Sequence, residues 1–552
     1  MNEWMQWALL GAVAVPGARA GLWTWQRLQL SRAKHPSLAG HARWSQRLAR
    51  WTPGYQWPAA TWMTADQATD EVVQRRREGL DRLKDVLQDQ APVGTELTRR
   101  SKQYLPDVDL TTRYKVPFPY AAWVTQQLSG NKFLTRANGA RVVDADGRSY
   151  WDLTGSYGVN LLGHEQYKVS QRASAAVTDD MGMVLGAYHP VVLDNLERLA
   201  RWSGHEQFTF HMSGTEAVMQ AVRLARYHTG RRHVVRFCGA YHGWWDDVQP
   251  GPGNPLPARD TYTLAEMSER TLEVIRSRKD IACVLVNPIQ ALHPNRAAPG
   301  DSTLLGRTRI SRFDREAYTD WLQRLKAACT EAGVAFILDE VFLGFRLAPG
   351  GAQEYFGVKA DLVTYGKTVG GGWPVGVVCG SPRWMQRYRI ERPAHLCFAR
   401  GTFNAHPGVM ASMNVFLKSL DTPEVQALYR GADERWAGHR EALNVRLQAL
   451  QVPVQVEGMG SVWTTNYLVP GRYHWMLQFY LQKHGLWLSW IGTGRLIFSI
   501  DLSDEDMADV ITRWCDAAAE MKADGWWSSP PLKSSERRWQ WLREWWQHRQ
   551  RT

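Results

Sequence analysis

The chain has 552 residues, of which 44% are hydrophobic and 22% are charged. This is the composition of a globular protein with a large core, and it excludes a mainly disordered chain. The six cysteines are scattered without a CxxC spacing, which argues against a zinc site or a disulfide framework and favours a reducing, cytoplasmic compartment. The net charge of +12 suits a nucleic acid, an anionic membrane or an acidic protein as partner. Because no nucleic-acid motif accompanies that charge, we expect no nucleic-acid partner.

The N-terminal residues 1–110 predict a basic, helical extension without a catalytic constellation. Residues 4–18 are uncharged and mostly apolar, but the stretch is short for a membrane-spanning helix. Two interpretations stay open for it: an interfacial anchor flanked by tryptophans and followed by basic residues, and a helix packed on the protein's own core. Residues 65–90 carry apolar positions at helical spacing among charges, which indicates an amphipathic helix.

The middle of the chain predicts an α/β architecture. Residues 111–170 form the N-terminal segment of this core and include a hairpin at 140–153 that turns at Asp146-Gly147. Residues 171–395 alternate apolar β-branched runs with amphipathic helices, which indicates a large, mostly parallel sheet covered on both faces. Strands are predicted at 233–238, 281–287, 334–339, 361–365 and 376–379.

The C-terminal part predicts a smaller α+β domain over residues 396–525. Strands are expected at 452–456, 460–468, 486–491 and 496–500, and Ser503 opens a final helix with a capping-box pattern. Residues 526–552 form a tail rich in Trp and Arg, in which Trp539, Leu542 and Trp546 share one helical face. Such a helix is typical of docking on a membrane or an acidic partner, and also of a terminal helix folded back on its own domain.

The most informative residue is Lys367, which follows the apolar run 361–365 and precedes three glycines. Burying an amine costs free energy unless the amine is neutralised, paired or used covalently. A lysine of lowered pKa bonds covalently to an aldehyde cofactor such as pyridoxal 5'-phosphate (PLP). Asp339 ends an earlier predicted strand, and an acid there holds the ring nitrogen of PLP and makes the ring an electron sink. Taken singly, each residue is equally an ordinary lysine or strand-end acid.

A possible phosphate site lies between a predicted strand and a predicted helix. Ser213, Gly214 and Thr215 offer backbone N–H groups and hydroxyls to an anion at the helix start, although a plain helix cap has the same pattern. Thr402 follows Gly401 before another helix, where its hydroxyl suits a phosphate or a simple cap.

Two further segments predict contacts with the cofactor ring. Tyr241 and His242 follow a strand at the edge where open α/β sheets bind ligands, and Tyr241 is suited to stack on a planar ring. Val341 is placed to pack on the opposite ring face, with plain core packing as the alternative. Arg346 follows in the same segment. It is either a functional residue or a structural residue that forms an ion pair.

These motifs resemble, in their order along the chain, the class III PLP-dependent aminotransferases, and most of all their glutamate-1-semialdehyde 2,1-aminomutase branch. The resemblance covers residues 115–520 and rests on Ser213-Gly214-Thr215-Glu216-Ala217, Tyr241-His242-Gly243, Asp339-Glu340-Val341, Lys367 with its glycines, and Gly401-Thr402. It implies a PLP-dependent transferase of fold type I, in general a homodimer with the site at the subunit interface.

The resemblance also implies residue roles. Lys367 would carry PLP and shuttle the proton, and Asp339 would bind the ring nitrogen. Tyr241 would stack on the ring, and the segment 213–215 would hold the phosphate. Thr402 would reach the phosphate of the cofactor in the neighbouring subunit.

The implied activity is transfer of an amino group between an amine or amino acid and an aldehyde or ketone. The alternatives are an aminomutase, and a class III scaffold that docks a membrane or carrier complex; a mixed version is an enzyme brought to a lipidic or carrier-bound substrate. Met212 and Asn287 stand where the family commonly has a small polar residue and a glutamate. Around residues 114–118 we find no clear equivalent of the arginine that binds the substrate carboxylate in the aminomutase branch, which weakens the case for glutamate semialdehyde as the substrate.

Overall fold

The computed structural model describes residues 20–36, 40–52, 54–128, 132–249, 251–256, 259–296, 300–302, 308–528 and 534–549. The apolar stretch at residues 4–18, for which we predict an anchor or a core helix, lies outside these ranges. Within them, every helix is too short or too polar to cross a lipid bilayer.

From residue 20 onward, the N-terminal extension is mainly helical, as predicted. Residues 20–33 form α1, and the helices that follow are α2 (Ala42–Trp51), α3 (Asp70–Lys84), α4 (Pro92–Ser101), α5 (Pro106–Tyr114) and α6 (Phe118–Gln127). The helix predicted at 65–90 begins only at Asp70, where two acidic residues in the first turn favour the positive end of the helix dipole. It continues into the π-helical turn Asp85–Asp89.

A small sheet joins the two ends of the core. Its strands are β1 (Leu134–Asn138), β2 (Arg141–Asp144) and β3 (Ser149–Asp152). The β2–β3 pair is the predicted hairpin, and Gly147 in its turn has a φ of 84°, which favours glycine. A two-residue strand from the C-terminal region, Leu486–Trp487, pairs in parallel with β3.

The large sheet has seven strands, and six of them run in one direction. In chain order they are β4 (Gln207–His211), β5 (His233–Phe237), β6 (Thr261–Leu264), β7 (Ile281–Val286), β8 (Ala335–Asp339), β9 (Leu362–Gly366) and β10 (Gly376–Gly380). Their spatial order is β4-β10-β9-β8-β7-β5-β6, and β10 is antiparallel to both of its neighbours. The predicted mostly parallel sheet is therefore confirmed, with one reversed strand.

Helices cover both faces of this sheet. They are α7 (Glu165–Met181), α8 (Val191–Ser203), α9 (Gly214–Thr229), α10 (Glu269–Ser277), α11 (Arg315–Ala332), α12 (Gly351–Phe356), α13 (Pro382–Met385) and α14 (Pro407–Ser419). Alternate residues of β8 enter different cores: Phe336 packs in the cluster that includes Trp321 of α11, and Ile337 packs with Val218 of α9. A strand buried on both faces explains the continuous apolar runs in the sequence.

The C-terminal region is α+β. Its helices are α15 (Pro423–Tyr429), α16 (Ala432–Ala449), α17 (Leu477–Lys483), α18 (Asp504–Ala523) and α19 (Ser534–Arg549), and its strands are β11 (Tyr388–Arg389), β12 (Arg392–Leu396), β13 (Val454–Met459), β14 (Val462–Tyr467), β15 (Leu486–Trp487) and β16 (Leu496–Ile497). The strands predicted at 486–491 and 496–500 are shorter than expected, at two residues each, and Gly492–Gly494 forms a 3-10 turn between them. The capping box at Ser503 is confirmed.

The terminal helix α19 is packed on one side and exposed on the other. Glu544 is buried and forms an ion pair with Arg472, at 2.5 Å between Oε1 and Nη2. On the opposite side Trp539, Leu542 and Trp546 are exposed. The helix thus folds back on the protein, as one interpretation predicts, and still presents its aromatic stripe to solvent.

Candidate functional site at the carboxyl edge of the large sheet

Four of the predicted motifs meet where the parallel strands of the large sheet end. A Cβ added to Gly214 would lie 2.4 Å from Cγ1 of Val341, and one added to Gly243 would lie 2.7 Å from the hydroxyl of Thr215. A Cβ on Gly366, the residue before Lys367, would lie 3.1 Å from the same Val341 Cγ1. The segments at 213–215, 241–243, 339–341 and 366–367 therefore form one site.

Asp339 is buried at the end of β8 and is held by three hydrogen bonds. Its Oδ2 lies 2.7 Å from Nδ1 of His242, and its Oδ1 accepts from the Val341 N–H at 3.1 Å and from the Thr364 hydroxyl at 3.2 Å. Burial lowers the pKa of His242, although Asp339 opposes that shift. A neutral imidazole donates from Nδ1 to the carboxylate, so His242 fixes the orientation of Asp339. The other ring nitrogen of His242 is buried without a hydrogen-bond partner among the described residues.

Lys367 is the first residue after β9 and has a φ of 48°, in the left-handed region. Burial lowers its pKa to about 8, and the nearby Arg495 and Arg346 act in the same direction, whereas Asp339 opposes them. Its Nζ lies 5.4 Å from the centre of the Phe342 ring. The neutral fraction of this amine at physiological pH is consequently much larger than that of an ordinary lysine, which makes it a better nucleophile and base.

The segment 213–215 is the N-terminus of α9. Ser213 is the N-cap, and its hydroxyl accepts from the Glu216 N–H at 3.2 Å, while Glu216 accepts in return from the Met212 N–H at 2.9 Å. The N–H groups of residues 214 and 215 lie in the first turn, where no intrahelical acceptor exists. Together with the helix dipole they make an anion site. Ser213 is thus a helix cap as well as a member of this site.

The loop that carries Tyr241 is fixed by hydrogen bonds from two side chains. Asn287 is buried and its amide donates to the carbonyl of Tyr241 at 2.9 Å. The guanidinium of Arg236 donates to the carbonyl of Ala240. The Tyr241 side chain itself is 57% exposed, so its ring is available to a ligand. Asn287, one of the departures from the family pattern, therefore positions this loop.

Two sequence-predicted residues stand apart from this cluster. Thr402 is exposed in a turn that precedes α14. Arg346 is buried and donates to the carbonyls of Asn160 and Phe498 at 2.7 and 2.8 Å, so it ties two loops together. Among the described residues no carboxylate pairs with Arg346, and the ion pair that was one interpretation of this residue is therefore wrong.

Sequence reasoning missed one residue of the site, Arg495. It is partly buried, and its Nε is a buried atom without a hydrogen-bond partner among the described residues. Its Cζ lies 4.9 Å from the centre of the Phe342 ring, and no described carboxylate forms an ion pair with it. Burial lowers its pKa to about 10, so the group stays cationic at neutral pH. Its position directly after the Gly492-Thr493-Gly494 turn is the only signal in the sequence that could have singled it out.

Comparisons with known proteins point to one family. The sequence model described as aminotransferase class-III matches residues 123–247 and 314–517. The glutamate-1-semialdehyde 2,1-aminomutase of Methanothermobacter thermautotrophicus is 33% identical over 384 residues, which are 67% of this chain and 82% of that protein.

Two solved structures share the fold over most of the chain. The β-phenylalanine aminotransferase of Variovorax paradoxus is 25% identical, with a TM-score of 0.64 over 84% of this chain and 100% of that one. A transaminase with PLP bound is also 25% identical, with a TM-score of 0.60 over 78% of this chain and 99% of that one.

Proposed function

This chain belongs to the class III aminotransferase family, and we propose that Lys367 is the residue through which it binds PLP covalently. It has the fold of the PLP-dependent transferases of fold type I and is an enzyme of the aminotransferase or aminomutase type, which confirms both predictions. The family and the PLP-bound neighbour imply PLP as the cofactor. The observation that carries the assignment of Lys367 is an amine of lowered pKa beside the Asp339–His242 pair.

The residues of the site match the three functional ends of PLP. The amine of Lys367 suits the aldehyde, the carboxylate of Asp339 suits the protonated ring nitrogen, and the N-terminus of α9 at Ser213, Gly214 and Thr215 suits the phosphate. When bound, PLP supplies an electron sink for the pair of electrons left on the substrate carbon. The exposed ring of Tyr241 and the side chain of Val341 then flank the cofactor ring, and His242 keeps Asp339 in place.

We assign the proton transfer to Nζ of Lys367. Its lowered pKa would let Nζ accept a proton from the carbon that bears the substrate amino group and later donate a proton back. Asp339 and Tyr241 act with it as the catalytic set. The net reaction moves an amino group between an amine or amino acid and an aldehyde or ketone.

A substrate carboxylate has a candidate partner in Arg495. This guanidinium is partly buried beside the Phe342 ring, and its Nε has no hydrogen-bond partner and no carboxylate partner among the described residues, which is costly unless an anion binds. A carboxylate-bearing substrate suits both an aminotransferase and an aminomutase. The aminomutase alternative is favoured by one relative, the Methanothermobacter protein, because it is named an aminomutase and the match spans 82% of its length.

Spectroscopy of the purified protein tests the cofactor assignment. We expect a visible absorption band from cofactor bound to Lys367, and we expect an amino donor to bleach it. Lys367→Ala should lose the band and retain the fold by circular dichroism. A wild-type protein that shows no band even after addition of PLP would contradict the proposal.

We further propose that the enzyme is a homodimer in which Thr402 faces the cofactor of the partner subunit. In support, large apolar side chains are exposed close to Thr402; they include Tyr188, Leu193, Phe398 and Phe403. A cavity of about 870 Å³ lies in this region, and its lining includes Tyr188, Leu193, Arg400 and Asn404. Light scattering of the purified protein checks this, and a monomer mass at micromolar concentration would contradict it.

We also propose peripheral contact with an anionic membrane from the cytoplasmic side. On α2, Trp44, Leu48 and Trp51 are exposed on one face, and Gln46 on the other face donates to three carbonyls between Gly251 and Leu256. Residues 20–65 contain six Arg and Lys residues and no acidic residue. Exposed aromatic and basic side chains on a helix suit an anionic bilayer surface. The exposed stripe of α19 adds a second such face, and the burial of all six cysteines supports a reducing compartment.

Liposome flotation tests the membrane contact. Wild-type protein should float with phosphatidylglycerol vesicles at low salt and much less with phosphatidylcholine vesicles. Trp44→Ser/Trp51→Ser should reduce flotation several-fold, while Trp62→Phe, a change in the buried core, serves as the matched control. Equal flotation of wild type and the α2 variant would reject contact through this helix.

A further inference from the structure

A second cavity, of about 340 Å³, lies beside the site just described. Its wall combines the end of α5, the loop after α6, the turn at Gly155–Gly158 and the segment 487–490. The described residues that line it include two lysines, Lys115 and Lys132, and no acidic residue. The side chains in this lining that can carry a full charge at neutral pH are therefore basic.

The two lysines are neighbours and lack a carboxylate partner. Their side-chain amines are within hydrogen-bonding reach of each other, and no described acid forms an ion pair with either. Burial lowers the pKa of Lys115 to about 8, and burial and the other lysine lower that of Lys132. Asp301, the acid that acts on Lys115 most, is already held by Arg309 at 3.0 Å and by Thr493. Both lysines are partly buried, and a second charge on the pair has no described acid to offset it, so an anion is the ligand that suits this position.

The cavity is separated from Lys367 by a single turn of the chain. Ser156 and Tyr157 line the cavity and have φ values of 48° and 58°, in the left-handed region. The next residue, Gly158, accepts a hydrogen bond from the Thr368 hydroxyl at 2.9 Å, and a Cβ on Gly158 would lie 2.9 Å from the Phe342 ring. The same turn therefore borders both spaces.

The opposite wall of the cavity, which Trp490 helps to form, is also close in the chain to a residue of the Lys367 site. The backbone N–H of Trp490 donates to the Tyr157 hydroxyl, so these two residues close the cavity together. Arg495 follows Trp490 after the 3-10 turn Gly492–Gly494. A molecule whose reacting carbon lies at Lys367 is thus flanked by Arg495 on one side. On the other side it meets the turn that borders the cavity of the two lysines.

We propose that Lys115 and Lys132 bind an anionic group, a carboxylate or a phosphate, at the far end of the substrate. The substrate class is then an amine or carbonyl compound that carries negative charge remote from its reacting carbon. This inference rests on the proposed function, because it takes Lys367 as the reacting residue. A free anion bound independently of the substrate is the other source of the same chemistry, and the experiment below distinguishes the two.

The first part of the test measures the thermal unfolding midpoint of the holoenzyme with added ligands. The charged probes are the dicarboxylates succinate, glutarate and adipate, and glutaramide is their neutral analogue. Inorganic phosphate represents a free anion. A ligand that binds only the folded protein raises its unfolding midpoint. We expect at least one dicarboxylate to stabilise wild type more than glutaramide does, and we expect Lys115→Gln/Lys132→Gln to lose most of that difference. Lys102→Gln is the matched control, because Lys102 lies near Lys132 but does not line the cavity.

Donor kinetics form the second arm, with 5-aminopentanoate and the neutral pentylamine compared in each variant. Wild type should prefer the charged donor by at least about tenfold in kcat/KM, as expected for a lost hydrogen-bonded charge contact. The double variant should lose that preference through a higher KM with little change in kcat.

Three results would overturn the inference. They are equal stabilisation of wild type and the double variant, no stabilisation of wild type by any dicarboxylate, and stabilisation by phosphate that does not compete with the charged donor. The last result would assign the lysines to a free anion. If the Lys367 band is absent, the proposed function fails, whereas the unfolding arm still reports on the cavity.

Discussion

At the residue scale, the proposed chemistry depends on one amine, Lys367, whose charge is made unfavourable by its surroundings. Burial is the main cause of the lowered pKa of Lys367, and Arg495 and Arg346 add to it. The Asp339 carboxylate limits the shift. The protein thereby keeps a reactive amine and a carboxylate in the same site without a tight ion pair that would leave the amine fully protonated.

The pH dependence of Lys367 follows from this balance. Its pKa in the folded protein is about 8, against an ordinary value of 10.5. Between these values the unfolded chain binds more protons, so this group raises the free energy of unfolding as pH rises through that window, and below pH 8 its cost is constant. The rate at which Lys367 is acetylated in the cofactor-free protein can be followed by peptide mass spectrometry. As a function of pH, this rate should reach half of its maximum near pH 8.

Asp339→Asn is the informative variant for this titration. Removing the carboxylate takes away the interaction that raises the pKa of Lys367, so the half-maximal pH should fall. A half-maximal pH near 10.5 in wild type, or a rise in the variant, would contradict the electrostatic account.

The sequence was sufficient to place Lys367 and Asp339 among the candidate residues, because each follows an apolar strand and their chemistry is specific. It was not sufficient for Arg495, Lys115 and Lys132. The partial burial of these three residues comes from contacts between segments far apart in the chain, and no local pattern reports such contacts. Asn287 was visible as a departure, but its bond to the Tyr241 carbonyl needed the structure.

At the element scale, the anion site depends on how closely α9 approaches β8. A side chain at Gly214 would lie 2.4 Å from Cγ1 of Val341, so only glycine allows this packing. Gly214→Ala should weaken PLP binding by at least about tenfold, equivalent to about 1.4 kcal/mol. An alanine in a helix normally stabilises it, so a loss here reports the steric contact.

Val341→Ala provides the matched control for that substitution. On its own it removes two methyl groups beside the site, and in the double variant it makes room for the added Cβ. Fluorescence titration with PLP should show partial recovery in Gly214→Ala/Val341→Ala. No recovery, or no loss in Gly214→Ala alone, would mean that the packing of Gly214 on Val341 does not shape the site.

The elements were predictable where a local signal sets them. The capping box at Ser503 and the glycine turn at Gly147 are examples. The reversed direction of β10 and the pairing of Leu486–Trp487 with β3 were not predictable, because strand direction is decided by partners that the strand's own residues do not encode.

At the scale of the whole molecule, the abundance of tryptophan has two different causes. Trp62 of the N-terminal extension is buried and stacks on Trp526, with ring centres 5.7 Å apart, which ties the extension to the C-terminal region. Trp44 and Trp51 of the same extension are exposed. The composition alone does not separate these roles, since it counts buried and exposed tryptophans alike.

The central claim is that Lys367 holds the cofactor, and chemical trapping tests it most directly. The protein is incubated with PLP, reduced with borohydride, digested and analysed by mass spectrometry. We predict the mass of the reduced cofactor on the peptide that contains Lys367, and none in Lys367→Ala. Modification of another lysine, such as Lys115, with Lys367 unmodified would contradict the account.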